Sequence, residues 1–205
     1  MRAPLEVPFF GKIPGKNGEI GEMSPAWRDY FNQNESYSFL GLKRLNADST
    51  ATLQIPDARK YSKIVFELFD VVRSTSTTVL LRTSADGGAN VASSSGNYRW
   101  AIDYLRGSDA ASTTANSSST GTSIQLSGTN SANPISGRIE LYSADATTTK
   151  PLFVYDTICA QTYPERVRGS GMRDSASAIN AVQFLPGSGN FTSGAILVYG
   201  VKRQI

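Results

Sequence analysis

The chain has 205 residues, enough for one sizeable core, and only 18% of them are charged. Lys and Arg number 20 against 17 Asp and Glu, a net charge of +3, and they are scattered with no run that would follow a phosphate backbone, so nucleic-acid binding is not expected. Histidine is absent and Cys159 is the one cysteine, which excludes an intrachain disulfide and removes the usual general base, the usual zinc ligands and thiol chemistry; no metal and no cofactor are expected.

Ser, Thr, Gly and Asn are abundant and amphipathic helical patterns are scarce, which reads as an all-β chain with many turns. No apolar run reaches the length of a membrane span, so membrane insertion is not expected. Residues 1–10 lack the apolar core of a secretion signal, and the lack of a disulfide framework fits assembly in a reducing cytoplasm.

Residues 1–35 read differently from the rest. Pro4, Pro8, Pro14 and Pro25 interrupt regular structure, and Gly11, Gly15, Gly18 and Gly21 loosen it. Leu5, Val7, Phe9, Phe10 and Ile13 are nevertheless larger apolar groups than a solvated tail carries, which points to an extended arm that docks on a partner. Ser24 suits an N-cap and Pro25 the first position of a short helix, whose single face would hold Trp27, Tyr30 and Phe31. Such a face fits a groove on a partner or packs back on the chain's own β domain. The candidate docking residues are Phe9, Phe10, Trp27, Tyr30 and Phe31.

The β domain is expected over 36–205. Strands are predicted at 37–45, 50–55, 61–72 and 77–82, and Asp86-Gly87-Gly88 is a tight-turn signal in which Asp86 reads as a turn residue rather than a calcium ligand. In 98–104, Tyr98, Trp100, Ile102 and Tyr104 alternate with Arg99, Ala101 and Asp103. That aromatic face is core, or it is a sugar-stacking platform of Tyr98, Trp100 and Tyr104 with Asp103 supplying a polar contact. Residues 107–133 are low in complexity, with a short strand signal at 123–126, and read as a long surface hairpin or a strand pair at the domain edge. Strands follow at 135–142 and 152–161, then a polar stretch at 163–172 with Arg166 and Arg168. The apolar runs 179–185 and 193–202 flank a Gly-rich connection and read as a closing hairpin, sandwiched between layers because both its faces are apolar.

Several of these segments carry a resemblance. "INAVQFLPGSGNFTSGAILVYGVK", "YSKIVFELFDV" followed by "LLRTSADGGAN", "SGRIELY" and the upstream "SPAWRDYF" are similar to motifs of tailed-bacteriophage virion structural proteins of the tail, fibre and head-spike type. The resemblance implies an antiparallel jelly-roll-like β-sandwich behind an N-terminal docking arm. It further implies a place in the virion, neighbouring virion proteins as partners, a homotrimer, and no catalytic role. Two roles fit: a fibre, adaptor or receptor-binding module that adsorbs to a host-surface glycan, or a connector, decoration or head-spike protein that binds only its neighbours. A cellular carbohydrate-binding module is an alternative. So is a polysaccharide depolymerase, which needs two convergent carboxylates; Glu67, Asp70, Asp103 and Glu140 are strand-borne, and no spacing pairs any two of them.

Overall fold

Alternation of apolar and polar side chains builds two sheets. The computed structural model describes residues 37–106, 113–128, 133–160 and 164–202. Its strands are β1 (Tyr37–Arg44), β2 (Ala51–Gln54), β3 (Tyr61–Arg73), β4 (Val79–Ser84), β5 (Tyr98–Arg106), β6 (Thr113–Gly121), β7 (Ile124–Gln125), β8 (Ile135–Tyr142), β9 (Leu152–Ala160), β10 (Pro164–Arg173), β11 (Ala181–Pro186) and β12 (Phe191–Lys202). The helical structure among the described residues is a single 3-10 turn, Ala58–Lys60. The expected arm and short helix, with Phe9, Phe10, Trp27, Tyr30 and Phe31, lie outside the described residues.

Eight strands form one antiparallel sheet in the order β1-β12-β3-β8-β9-β10-β5-β6, and four form a second in the order β2-β11-β4-β7. The two sheets pack as an all-β sandwich. One face of the large sheet supplies Ile64, Phe66 and Leu68 from β3, Ile139 and Leu141 from β8, and Phe153 and Tyr155 from β9, all buried. The small sheet answers with Leu53, Leu81, Val182 and Phe184. Phe66 and Phe184 meet edge to face across the layers, with ring centroids 5.6 Å apart and planes at 65°.

The closing segment differs from the sequence reading. The runs 179–185 and 193–202 do not pair as a hairpin: β11 lies between β2 and β4 in the small sheet, and β12 lies between β1 and β3 in the large one. The Gly-rich connection therefore carries the chain from one layer to the other. Gly189, in the left-handed region, and the Gly187 N–H, which donates to Thr78 O over 2.9 Å, fix the crossing. Local sequence dictates that a turn occurs there, and the long-range partners decide whether its arms stay in one sheet.

Two strands hide their pattern. In β10 the inward positions include Gly169 and Gly171, so a core strand reads as a polar stretch. A side chain at Gly169 would strike the Tyr155 ring, and one at Gly171 would come within 3.0 Å of Ile124. In β6 Ser and Thr dominate, and the strand is held as the sheet edge by its ladder to β5. In β3, Asp70 adopts φ 46° and forms a bulge opposite Gly194 (φ 113°), with the Asp70 N–H donating to Ser136 Oγ over 3.0 Å. The extra residue turns Val71 and Arg73 inward, where both are buried. The Arg73 guanidinium donates to Thr77 O and, over 3.2 Å, to Asn133 O, tying loops together at that end of the sandwich.

Candidate functional site: the outer face of the large sheet

Strand periodicity gives the large sheet a second face, turned away from the core. Eight large apolar side chains are exposed among the described residues: Tyr37, Phe39, Leu42, Phe69, Leu105, Leu152, Val154 and Ile158. The register places every one of them on this outer face. Single exposed apolar groups are ordinary, whereas eight gathered on one face, at its β1 edge and on β3, β9 and β5, set that face apart from the rest of the described surface.

The side chains stand in cross-strand rows. One row runs Phe39, Tyr199, Val65, Glu140, Val154, Ser170, Ala101, Ser117, from β1 to β6. Its first half is bulky, with Phe39 edge to face on Tyr199 at 5.7 Å, and its far end is small. The next row runs Leu42, Leu197, Glu67, Arg138, Asp156, Arg168, Asp103, Ala115. Its five central residues alternate in charge.

The small side chains leave a groove of about 560 Å³ floored by Ala101, Ser170 and Gly171 and flanked by Leu152, Val154 and Met172. At Val154 it meets a second hollow of about 340 Å³, walled by Arg138, Glu140, Asp156 and Arg168.

Ion pairs hold the charged groups in place. Glu140 accepts from Lys63 Nζ at 2.8 Å, lies 3.0 Å from the Arg138 guanidinium, and takes the Tyr142 hydroxyl hydrogen bond. Partial burial works to raise its carboxyl; the hydrogen bonds from Lys63 and Tyr142, with the charges of Lys63 and Arg138, outweigh it and hold it below the usual glutamate range. The Arg166 guanidinium does the same for the Asp156 carboxyl, with Arg168 3.5 Å away adding to it. Arg138 also donates to the Tyr37 hydroxyl over 2.9 Å and lies 5.8 Å from that ring's centroid, a bridge from β8 to the edge strand. Val65, which points outward beneath this bridge, has no exposed surface.

The residues singled out by the aromatic strand separate. Tyr98 and Tyr104 are buried, and Tyr98 is locked by hydrogen bonds to the Thr83 N–H at 2.8 Å and Ala92 O at 2.9 Å. Neither offers a ring face to a sugar, so the platform of Tyr98, Trp100 and Tyr104 does not form, because the inward side of β5 is core. Trp100 is half-buried against that core, with its strand beside the groove, and Asp103 stands on the opposite face in the charged row. Among the four strand-borne carboxylates, Glu67 and Asp103 share that row four strands apart, about 19 Å at ordinary strand spacing, beyond the reach of a glycosidase pair. Glu140 is tied up in ion pairs, and Asp70 sits at the bulge. No group of three or more His, Cys, Asp or Glu side chains that could hold a metal ion occurs among the described residues.

The outer face as a unit was missed in the sequence. The usable signal was present in β9, where Leu152, Val154 and Ile158 alternate with Phe153, Tyr155 and Cys159, so that both faces of a single strand are apolar. Comparisons with protein-family models, with curated proteins and with solved structures give no match to this chain.

Proposed function

We propose that this chain is a non-catalytic structural subunit of a tailed-bacteriophage virion, and that the outer face of its large sheet is the surface by which it is built into that assembly. One observation carries the assembly role: every large apolar side chain exposed among the described residues lies on that face. In water such a face favours burial against a neighbour, at about 25 cal/mol for each Å² of apolar surface covered. Lys63, Arg138, Glu140, Asp156, Arg166 and Arg168 are already matched in ion pairs, so they can be covered with less desolvation cost than isolated charges would exact. The same pairing speaks against acid–base work by Glu140 and Asp156, whose lowered carboxyls stay ionised near neutrality. The placement in a virion rests on the sequence motifs that resemble phage structural proteins, four of which fall on strands β3, β4, β8, β11 and β12 or the loops beside them.

The test is made on particles. Virions produced from the genome that encodes this chain are purified by density gradient, and an antibody to residues 36–205 is applied with gold labelling and peptide mass spectrometry. The expected result is labelling at a fixed place on every particle, in stoichiometric amount. A chain found only in the cell fraction would overturn the virion placement.

A further inference from the structure

We propose that a second copy of this chain covers the outer face, related to the first by a two-fold axis that runs along the strands between β8 and β9. The inference rests on reading that face as an assembly surface, and names its occupant.

The strand order supplies the first observation. The line between β8 and β9 divides the large sheet into β1-β12-β3-β8 and β9-β10-β5-β6, four strands on either side. Rotation about this line lays the whole face on itself. Each residue then meets the residue of its own row that lies equally far on the other side of the line, as an isologous interface requires.

Charge supplies the second. In the row Glu67, Arg138, Asp156, Arg168, Asp103 the sign changes at every strand. The rotation therefore sets Arg138 against the second copy's Asp156, and Glu67 against the second copy's Arg168, with each pair formed twice. An axis placed on a strand instead of between two would set like charges together.

Size supplies the third. In the row above, Tyr199 meets the second copy's Ala101 and Phe39 meets its Ser117. The bulky half of one face thus fills the groove that the small half leaves open in the other. On the far side of the charged row, Ser136 meets the second copy's Ile158. In the two rows, Glu140 against the second copy's Val154 and Leu197 against its Asp103 are the mismatched contacts; at the other positions named, large side chains oppose small ones and opposite charges oppose each other.

The area is sufficient. Eight strands at the usual spacing span about 34 Å, and four rows about 20 Å, a footprint of roughly 700 Å². Stable interfaces take about 600–1,000 Å² from each partner, and this footprint lies in the lower half of that range. Sheets packed face to face keep their strands within about 30° of each other, so the rows stay in register over the central strands, where the charged pairs lie.

The experiment uses the full chain in sedimentation equilibrium. Wild type is expected at twice the 22.0 kDa protomer mass. Arg138→Glu alone faces Asp156 of its twin, and Asp156→Arg alone faces Arg138 of its twin, so each variant is expected to raise the dimer dissociation constant by on the order of 100-fold. Mixed in equal amounts, the two variants present opposite charges at both contacts and are expected to recover a dimer that neither forms alone. Ala101→Trp, which touches no ion pair, is expected to weaken the dimer by overfilling the groove. Circular dichroism and thermal unfolding confirm that each variant is folded. A monomeric wild type, a trimer, a mixture that stays monomeric although both variants are folded, or an Ala101→Trp chain that dimerises like wild type would each overturn the two-fold pairing. Gold labelling of virions is independent of these results: a chain that is on particles yet monomeric sinks the pairing and leaves the virion reading standing.

Discussion

The contact between Phe66 of β3 and Phe184 of β11 joins the two sheets across the core, and a double-mutant cycle tests it. Both rings are fully buried, and they meet edge to face at 5.6 Å from opposite sheets. Truncation to Leu keeps most of the volume while removing the ring–ring contact. Each single change, Phe66→Leu or Phe184→Leu, is expected to cost about 1–2 kcal/mol, between a volume-conserving swap and the ~3–5 kcal/mol of Phe→Ala. An edge-to-face pair contributes about 0.5–1.5 kcal/mol beyond its buried area, and that amount is the expected coupling when both rings are removed together. The assay is urea unfolding at 25 °C, followed by far-UV and near-UV signals, with the slope m unchanged among the four proteins. Coupling below about 0.3 kcal/mol is what independent sites show. That result would refute the cross-sheet contact.

Three further outcomes are expected. Gly194→Ala puts a Cβ 2.7 Å from Asp70 O on a residue at φ 113°, and should cost about 2 kcal/mol or more in urea unfolding, whereas Gly41→Ala, with open space around it, should cost under about 1 kcal/mol. Asp86, which accepts from Ser84 and Asn90, has its carboxyl drawn down from 3.8 to about 2, the Ser84 hydroxyl first among the causes. Its folded value lies below its unfolded one, so its contribution is present above pH ~4 and fades as the pH falls towards 2; the stability gap between wild type and Asp86→Asn should close over that window. Gly169→Ala, aimed at the Tyr155 ring from an adjacent strand, should lower the thermal midpoint by several degrees in differential scanning calorimetry, since overpacking costs about 1–3 kcal/mol.

The sequence made the strongest strands legible wherever alternation was written in side chains. β3, β8 and β9 announce themselves through Ile64-Phe66-Leu68, Ile139-Leu141 and Phe153-Tyr155. β10 was opaque because Gly169 and Gly171 replace its inward side chains, the room there being taken by Tyr155 and Ile124 from neighbouring elements. The 179–202 stretch was readable as two strands and a turn, but a turn's chemistry is local while its arms' partners, on β1, β2, β3 and β4, lie about 100 to 160 residues away (Ala181 to Ser84 is 97, Val201 to Tyr37 is 164). The outer face was hidden for the same reason. Arg138, Asp156, Arg168 and Asp103 fall into an alternating row only once the order of four strands is known. Tyr98 and Tyr104 are core, the first of the two readings the sequence allowed; an aromatic face looks the same in sequence whether it points to the core or to solvent, so only the structure separates it from a sugar platform.

The most direct measurement of whether the outer face is an assembly surface is alkylation of a Val154→Cys chain. Val154 is 50% exposed at the centre of the face, and Cys159, the natural thiol, is 7% exposed and serves as the silent background. The full-length variant is treated with a maleimide at concentrations from nanomolar to tens of micromolar, and the labelling rate per thiol is read by mass spectrometry. A rate that falls at least tenfold as concentration rises, while a control cysteine placed at the exposed Thr52 position of the small sheet labels at a constant rate, is the result expected if the face is covered by assembly. Equal labelling of both sites at every concentration would contradict it.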